Sequence, residues 1–309
     1  MTREILDRNT TTRIQGGIDI RWAIVKGLTN TVRLSGDFYH IRRDLYYPRI
    51  LPRLGNNIGS AELGQYDKTS ALVEDFLEYK HAFTGDLSME AIGGVSYQRD
   101  RYDQTDLAAS GFGSDDLKNY NFSSGNAISK PLTDITENTI LSAFARVRFN
   151  MSDKYLFAAS IRRDGASVFA ADNKYGVFPS VSAAWRVTGE KFMEKFTWVS
   201  NLKLRASWGQ AGNPAIKPYQ SLLLGKTVNT GQGAGAGLAV GIAPTFANPA
   251  LKWETTAQTN IGLDLGLLRD RFRITFDYYI KKLPTCWPWY SYRHQAVLVR
   301  ASVQARGRS

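Results

Sequence analysis

The stretch NKYGVFPSVSAAWRVTG, residues 173–189, alternates between apolar and mostly polar side chains through its middle. The apolar parity holds Val177, Pro179, Val181, Ala183, Trp185 and Val187. The other parity holds Phe178, Ser180, Ser182, Ala184, Arg186 and Thr188. A period of two predicts a β-strand with one apolar face. That face would meet a protein core in a soluble sandwich, or lipid in an outer-membrane barrel whose polar face lines a wet lumen.

The composition sets broad limits on the class of protein. The 309 residues are 43% hydrophobic, so a folded chain is expected. No run approaches ~18 apolar residues, so we expect no membrane-spanning helix. The 39 basic residues outnumber the 28 acidic ones, but they are spread along the chain, often on the polar parity of strands. That spread indicates a solvated face and no nucleic-acid partner. The single cysteine, Cys286, excludes an intrachain disulfide and a multi-thiolate zinc site.

About ten alternating segments follow one another along the chain. They cover approximately residues 14–25, 31–38, 69–83, 87–98, 141–149, 155–162, 177–188, 202–209, 257–267 and 272–281. Short connections lie near Lys26, Gly85, Ser152 and Arg269, and long ones at roughly 45–68, 103–138, 164–175 and 210–252. Tight turns alternating with long loops are typical of outer-membrane barrels. Several segments also exceed the length of an average globular strand and reach the ~9–11 residues that a spanning strand needs.

Two further features lie near the short-turn ends. The connection GEKFMEKFTW, residues 189–198, predicts a helical turn with Phe192 and Phe196 on one face. Aromatic residues gather at these ends: Trp22, Phe83, Phe149, Tyr155, Trp198 and Phe272. Such a row is typical of a membrane interface, although strand propensity also favours aromatic residues. We therefore predict an all-β fold, and a membrane barrel ahead of a soluble β protein.

The polar parity and the long loops supply the candidate binding residues. The lumen-facing candidates are Arg146, Arg148, Arg162, Arg186, Lys203, Arg205, Asp264 and Asp277. In a barrel these side chains would hydrogen-bond hydrated substrates, and in a sandwich they would face solvent. The loop candidates for stacking on sugar rings are Tyr46, Tyr47, Tyr66, Phe112 and Tyr120. The alternative for each loop residue is packing among the loops or at the membrane interface.

Four stretches resemble a known family. They are RRDGASVFAADNKYGVFPSVSAAWR (162–186), VSNLKLRASWGQAGN (199–213), NPALKWETTAQTNIGLDLGLL (248–268) and RFRITFDYYIKK (271–282). Their order and spacing also match, and most of the chain resembles the SusC/RagA family of TonB-dependent outer-membrane transporters. The resemblance implies a large antiparallel transmembrane barrel of ~22 strands, of which this chain supplies a sector of about ten. It also implies an N-terminal plug domain, import of oligosaccharides or peptides, a SusD-like surface lipoprotein and energy from the TonB complex.

The chain departs from that pattern at both ends. Residues 1–17 lack the apolar region of a signal peptide, and neither a TonB box nor the plug domain is present in the sequence. After Lys282 the alternation stops. We expect residues 1–282 to be a partial receptor barrel and residues 283–309 to be an unrelated, out-of-frame tail, with a divergent strand pair as the alternative. The intact relative would lie in the cell outer membrane, in contact with its lipid, and this fragment is expected to be non-functional by itself.

No enzyme chemistry is indicated. The run GKT at residues 225–227 lacks the upstream glycine of a phosphate-binding loop. The three histidines, His40, His81 and His294, have no metal-ligand spacing. We therefore expect no catalytic residue, cofactor or metal. Two other functions stay open: a passive porin-like outer-membrane channel, which an upstream plug-coding region would reject, and a soluble carbohydrate-binding β protein, which solubility without detergent would favour.

Overall fold

The computed structural model describes residues 5–51, 58–214, 216, 218–222, 225–230, 237–242, 248, 250–283 and 294–305. The strands are β1 (Leu6–Val25), β2 (Leu28–Tyr47), β3 (Ser60–Thr84), β4 (Leu87–Phe112), β5 (Gly125–Ile128), β6 (Leu132–Met151), β7 (Tyr155–Ala166), β8 (Tyr175–Arg186), β9 (Val199–Asn213), β10 (Gly225–Thr230), β11 (Gly237–Ile242), β12 (Glu254–Leu267), β13 (Phe272–Leu283) and β14 (His294–Ala305). Short 3₁₀ helices occupy Lys118–Tyr120, Phe122–Ser124, Ala171–Asn173, Val187–Gly189 and Lys191–Lys195. None of the helices in these ranges has the length and apolar content needed to cross a membrane.

One large sheet contains most of the strands. The order of its hydrogen-bonded strands is β1-β2-β3-β4-β6-β7-β8-β9-β12-β13-β14, and β5 pairs with β4 outside this order. β10 and β11 form a separate two-stranded sheet. Pairing is antiparallel wherever its register is defined. For example, Val181 of β8 stands opposite Ala159 of β7 on one side and Trp208 of β9 on the other. Up-and-down order between chain neighbours is the topology of a barrel wall, and the predicted all-β fold is confirmed.

The strands are longer than the alternation alone predicted. β3 and β4 contain 25 and 26 residues, more than twice the ~9–11 residues that a tilted spanning strand needs. They continue into the predicted loops at 45–68 and 103–138, which also contain β5. The predicted loop at 210–252 contains the β10–β11 hairpin. The backbone hydrogen bonds between strands do not depend on the alternation of apolar and polar side chains. A strand can therefore continue where the residues of both parities are polar.

The tail also contributes a strand. β14 pairs with β13 from Phe272, opposite Ala305, to Leu283, opposite His294. This pairing places residues 294–305 in the large sheet, as the divergent-strand alternative has it. The out-of-frame origin of the tail stays a prediction.

The apolar parity of the sheet is not covered by protein. Val177 and Val181 of β8 are 50% and 52% exposed, and Phe157 of β7 is 51% exposed. Large apolar side chains are among the most buried types in soluble proteins, and large contiguous exposed apolar patches mark interaction or membrane surfaces. The apolar parity is therefore exposed, as expected for the lipid-facing side of a barrel wall.

The chain divides into two compact units. The first comprises residues 1–19, 33–73 and 98–139. Its apolar core consists of Tyr46, Ala61, Ala109 and Phe112, with Leu6 and Phe122 packed against it. The buried Asp44 carboxylate accepts hydrogen bonds from Arg8, Arg42 and Asn119. These bonds fasten the short helix Lys118–Tyr120 to the ends of β1 and β2.

The second unit comprises residues 20–32, 74–97 and 140–309. Its core consists of Ala166, Val168, Phe169, Phe178 and Trp253. The Trp253 ring lies 5.3 Å from that of Phe169 and 5.4 Å from that of Phe178, between ring centroids. Its indole N–H donates to the Lys174 carbonyl oxygen at 3.0 Å. Trp253 therefore joins the β7–β8 connection to the segment that enters β12.

The predicted helical turn after β8 is confirmed, as the 3₁₀ helix Lys191–Lys195. Side chains three residues apart share a face of a 3₁₀ helix, and Phe196 is the C-cap residue just beyond the helix. The helix therefore does not by itself put Phe192 and Phe196 on one face. Both side chains are exposed, by 56% and 45%.

Candidate functional site

The candidate site is the polar face of the sheet in the second unit. The register places Arg162 of β7 opposite Phe144 of β6, and Arg146 of β6 opposite Ser160. Further along the sheet, Lys203 of β9 stands opposite Arg186 of β8 and Asp264 of β12. Because opposite residues point to the same side, the lumen-facing candidates share one face.

A three-residue ion cluster lies on this face. The Arg205 guanidinium donates Nε–H to Asp264 Oδ2 at 2.8 Å and Nη2–H to Asp264 Oδ1 at 3.0 Å. The same Nη2 donates to Asp277 Oδ1 at 2.9 Å. Gly262 stands between them, and a Cβ there would lie 2.7 Å from Asp277 Oδ1 and 2.8 Å from the guanidinium carbon. The missing side chain thus leaves room for Arg205 to reach across β12.

A groove of about 910 Å³, here called the wall groove, opens on this face. Its lining includes the small residues Ala158, Ser182, Ala184, Ser207 and Gly262. A cavity of about 560 Å³ adjoins it and shares Ser182, Ser207 and Asn260 with it. The Asn260 amide donates to Ser207 Oγ at 3.1 Å, and the Gln258 amide donates to Asn260 Oδ1 at 2.7 Å. Hydroxyl and amide groups therefore line a wide groove, and the small side chains in its lining leave it open.

The charged candidates differ in their partners. Arg148 pairs with Glu90 at 3.7 Å, and Arg162 donates to Ser142 Oγ at 2.8 Å and to Asp164 Oδ1 at 2.7 Å. Arg146 lines the wall groove without an ion-pair partner among the residues that the structure describes. The wall groove therefore combines an unpaired guanidinium with neutral hydrogen-bonding groups.

A second groove, here called the mouth groove, lies in the first unit. A cavity of about 320 Å³ is lined by residues that include Tyr47, Ser60, Glu62, Ser110 and Ser129. An adjoining cavity of about 250 Å³ shares Glu62 and Ser129 and adds Arg43, Asp106 and Lys130. An aromatic ring, hydroxyls and charges of both signs thus surround one groove near the long-loop ends of the strands.

The five loop aromatic candidates are in different surroundings. Tyr46 and Phe112 are buried, with their ring centroids 5.6 Å apart at 70°, so neither ring is open to a ligand here. Tyr66 packs on Tyr102, with centroids 6.1 Å apart. Tyr120 is 68% exposed and Tyr47 lines the mouth groove. Of the five, Tyr47 and Tyr120 are the rings best placed to meet a solute.

The Tyr46 hydroxyl also fixes a loop carboxylate. It donates to Asp115 Oδ1 at 2.7 Å, and the Arg49 backbone N–H donates to the same oxygen at 3.1 Å. Burial raises the pKa of Asp115, but these hydrogen bonds and the Arg49 charge together outweigh burial and leave the pKa below its ordinary value. The role of Tyr46 is therefore to hold a loop.

Sequence reasoning missed the groove residues that carry no charge. Ser182, Ser207 and Asn260 lie on the polar parity of predicted strands, so the parity alone was a usable signal for them. Glu62, Asp106 and Lys130 lie within predicted loops. The extension of β3 and β4 gives Glu62 and Asp106 a defined face, and Lys130 lies between β5 and β6.

Comparisons with known proteins agree on one family. The family described as "TonB dependent receptor-like, beta-barrel" matches residues 2–283. "TonB-dependent receptor P3" of Formosa agariphila is 34% identical over 229 residues, covering 74% of this chain and 23% of that protein. "TonB-dependent receptor SusC" of Bacteroides thetaiotaomicron is 35% identical over 150 residues, covering 48% of this chain and 15% of that protein.

Solved structures give the same answer. A structure of "the RagAB peptide transporter" superposes with a TM-score of 0.80 at 25% identity, covering 91% of this chain and 31% of that one. The chain thus spans about a quarter of the length of the first curated relatives that it matches, 23% for one and 20% for another. It belongs to the TonB-dependent receptor family, in which it is SusC/RagA-like, and it forms a sector of a transmembrane β-barrel wall.

Proposed function

We propose that this chain forms part of the wall of an outer-membrane transporter of the SusC/RagA type, which imports oligosaccharides or peptides. The wall groove is the observation that carries the proposal. Its Ser and Asn side chains, together with Gln258 of the adjoining cavity, offer both donors and acceptors to hydrated solutes, and its small residues leave space for them. Sugars and peptides both carry closely spaced hydroxyl or amide groups that such a surface can bind.

The mouth groove supports the same function. The Tyr47 ring offers an aromatic face, and Glu62 and Asp106 offer carboxylates. A sugar ring presents an apolar face for stacking and hydroxyls at its edge for carboxylates, so this combination suits it. We propose that Tyr47 contacts the solute first and that Arg146 and its neighbours in the wall groove contact it during passage.

The proposed partners follow from the relatives. The chain resembles SusC and the protein of the RagAB peptide transporter. We propose that the intact transporter likewise works with a SusD-like surface lipoprotein, draws energy from the TonB complex and lies in outer-membrane lipid. The apolar face supports the last of these, because Val177, Val181 and Phe157 are half exposed.

Uptake of labelled oligosaccharides and peptides tests the proposal in cells that carry the intact transporter. Ser182→Trp would fill the wall groove, so uptake should fall several-fold. Val177→Trp, on the exposed apolar face of the same strand, is the matched control and should leave uptake unchanged. Loss of uptake on deletion of TonB is expected, whereas uptake that persists without TonB would indicate a passive channel.

This chain is not expected to transport anything by itself. The sheet path ends at β1 on one side and β14 on the other, and unpaired backbone groups in hydrocarbon cost several kcal/mol each. Measuring the conductance of a planar bilayer after adding the refolded chain tests this. Stable, stepwise channels would contradict the proposal.

A further inference from the structure

The connection between β8 and β9, residues 187–198 and here called the foot, exposes three aromatic rings. Phe192, Phe196 and Trp198 are 56%, 45% and 55% exposed. The neighbouring connection between β12 and β13 needs only residues 268–271, so the length of the foot is not required to join two strands. The exposed rings therefore call for a partner.

A polar clamp fixes the start of the foot. Glu190 Oε1 accepts hydrogen bonds from the Tyr155 hydroxyl at 2.7 Å and from the Trp185 indole N–H at 3.2 Å. Lys154 Nζ donates to Glu190 Oε2 at 3.4 Å. Tyr155 and Trp185 are opposite residues on the apolar parity, and their rings stack at 10° with centroids 6.5 Å apart. The clamp thus attaches the foot to the lipid-facing edge of β7 and β8.

The end of the foot lies beside the same lipid-facing surface. The Leu268 backbone N–H donates to the Trp198 carbonyl oxygen at 2.8 Å. Leu268 is 50% exposed, and Phe272, the first residue of β13, is 42% exposed. Phe272 stands on the apolar parity of β13, opposite Leu267. The aromatic surface of the foot is therefore continuous with the face that meets lipid.

We propose that the foot is an interfacial anchor in the periplasmic leaflet of the outer membrane. Short turns of such barrels face the periplasm, which places the foot on that side. Phe192, Phe196 and Trp198 enter the boundary between headgroups and acyl chains, where aromatic rings are favoured. Lys191 and Lys195 are exposed and have no ion-pair partner among the described residues. Their long side chains reach phospholipid phosphates, as in amphipathic surface helices.

Spin labels placed on the foot test the anchor in the full chain, reconstituted in vesicles of phosphatidylethanolamine and phosphatidylglycerol. Cys286→Ser removes the native thiol, and Phe192→Cys, Phe196→Cys or Glu194→Cys then carries the label. Labels at 192 and 196 should collide several-fold more often with oxygen than with a water-soluble nickel chelate. The label at 194, an exposed charged position of the same helix, is the matched control and should show the reverse preference.

Two results would overturn the anchor. A preference for the nickel chelate at all three positions would place the foot in water. Low collision rates with both reagents at 192 and 196 would mean that protein covers the rings. Lys191→Gln with Lys195→Gln supplies a second measurement. Loss of the phosphate contacts should reduce the oxygen preference at 192 without changing it at the lipid-facing control Val181→Cys.

Discussion

Gly94 stands where a single added carbon would collide with the neighbouring strand. A Cβ there would lie 2.8 Å from Phe76 Cα and closer still to its Cβ, whereas one at Gly93 would meet only the Phe144 carbonyl oxygen, at 3.9 Å. We expect Gly94→Ala to lower the free energy of unfolding by about 1–3 kcal/mol, as overpacking does. Gly93→Ala is the adjacent control and should change it little. Urea titration in detergent measures both, and equal losses would contradict the close approach.

Glu190 makes stability depend on pH. Hydrogen bonds from Tyr155 and Trp185 lower the pKa of Glu190 below its ordinary value of 4.5, burial opposes them, and Lys154 adds to them. A folded-state pKa below the unfolded one gives stability that is present above the unfolded pKa and is lost as pH falls through the folded pKa.

Comparing the wild type with Glu190→Gln isolates this contribution. The stability difference between the two should be largest near neutral pH and should shrink as the pH falls below about 4. Unfolding curves at a series of pH values measure it. The same comparison with Glu194→Gln, at an exposed position of the foot, should show no such trend. A difference that grows toward acid would contradict the clamp.

Whether the surroundings of a residue can be predicted from the sequence depends on what fixes the direction of its side chain. Parity placed Arg205, Asp264 and Asp277 on one face, and the structure brings them into hydrogen-bond contact. Parity could not show that Tyr46 and Phe112 are buried, because their burial depends on how the chain returns after β4. The sequence offers no periodic signal for such a return.

At the scale of elements, Asp44 fastens the helix Lys118–Tyr120 to the strand ends. Asp44→Ala would remove the acceptor for Asn119, Arg8 and Arg42. Leaving the buried Asn119 donor unpaired costs about 1–3 kcal/mol, so the locally open state should become roughly 5- to 150-fold more populated. Hydrogen exchange at the Tyr120 amide, which bonds to the Leu117 carbonyl oxygen, measures it. Asp7→Ala removes an exposed ion pair with Arg43 and should leave that amide unchanged.

The sequence predicts the membrane-spanning parts of the strands, and it does not predict the parts that continue outside the membrane. Segments such as 177–188 and 257–267 alternate because one face meets lipid and the other water, and β8 and β12 follow them closely. Outside the membrane both faces meet water, so the pattern that marks a strand disappears while the backbone ladder continues. β5 and the β10–β11 hairpin lie in such stretches, which is why they were predicted as loops.

At the scale of the whole molecule, the fold depends on which parity meets lipid, and neighbouring positions of β9 test it. Ala206 is exposed on the apolar parity, opposite Ile261 of β12, whereas Ser207 lies on the polar parity, opposite Asn260. Ala206→Arg would put a charge in hydrocarbon near the middle of a strand and should cost about 2–4 kcal/mol. Ser207→Arg would project the same side chain into the wet lumen and should cost little. Urea titration in lipid vesicles measures both free energies. A larger cost at 207 would place the lipid on the other side of the sheet, and equal costs would contradict a difference between the two faces.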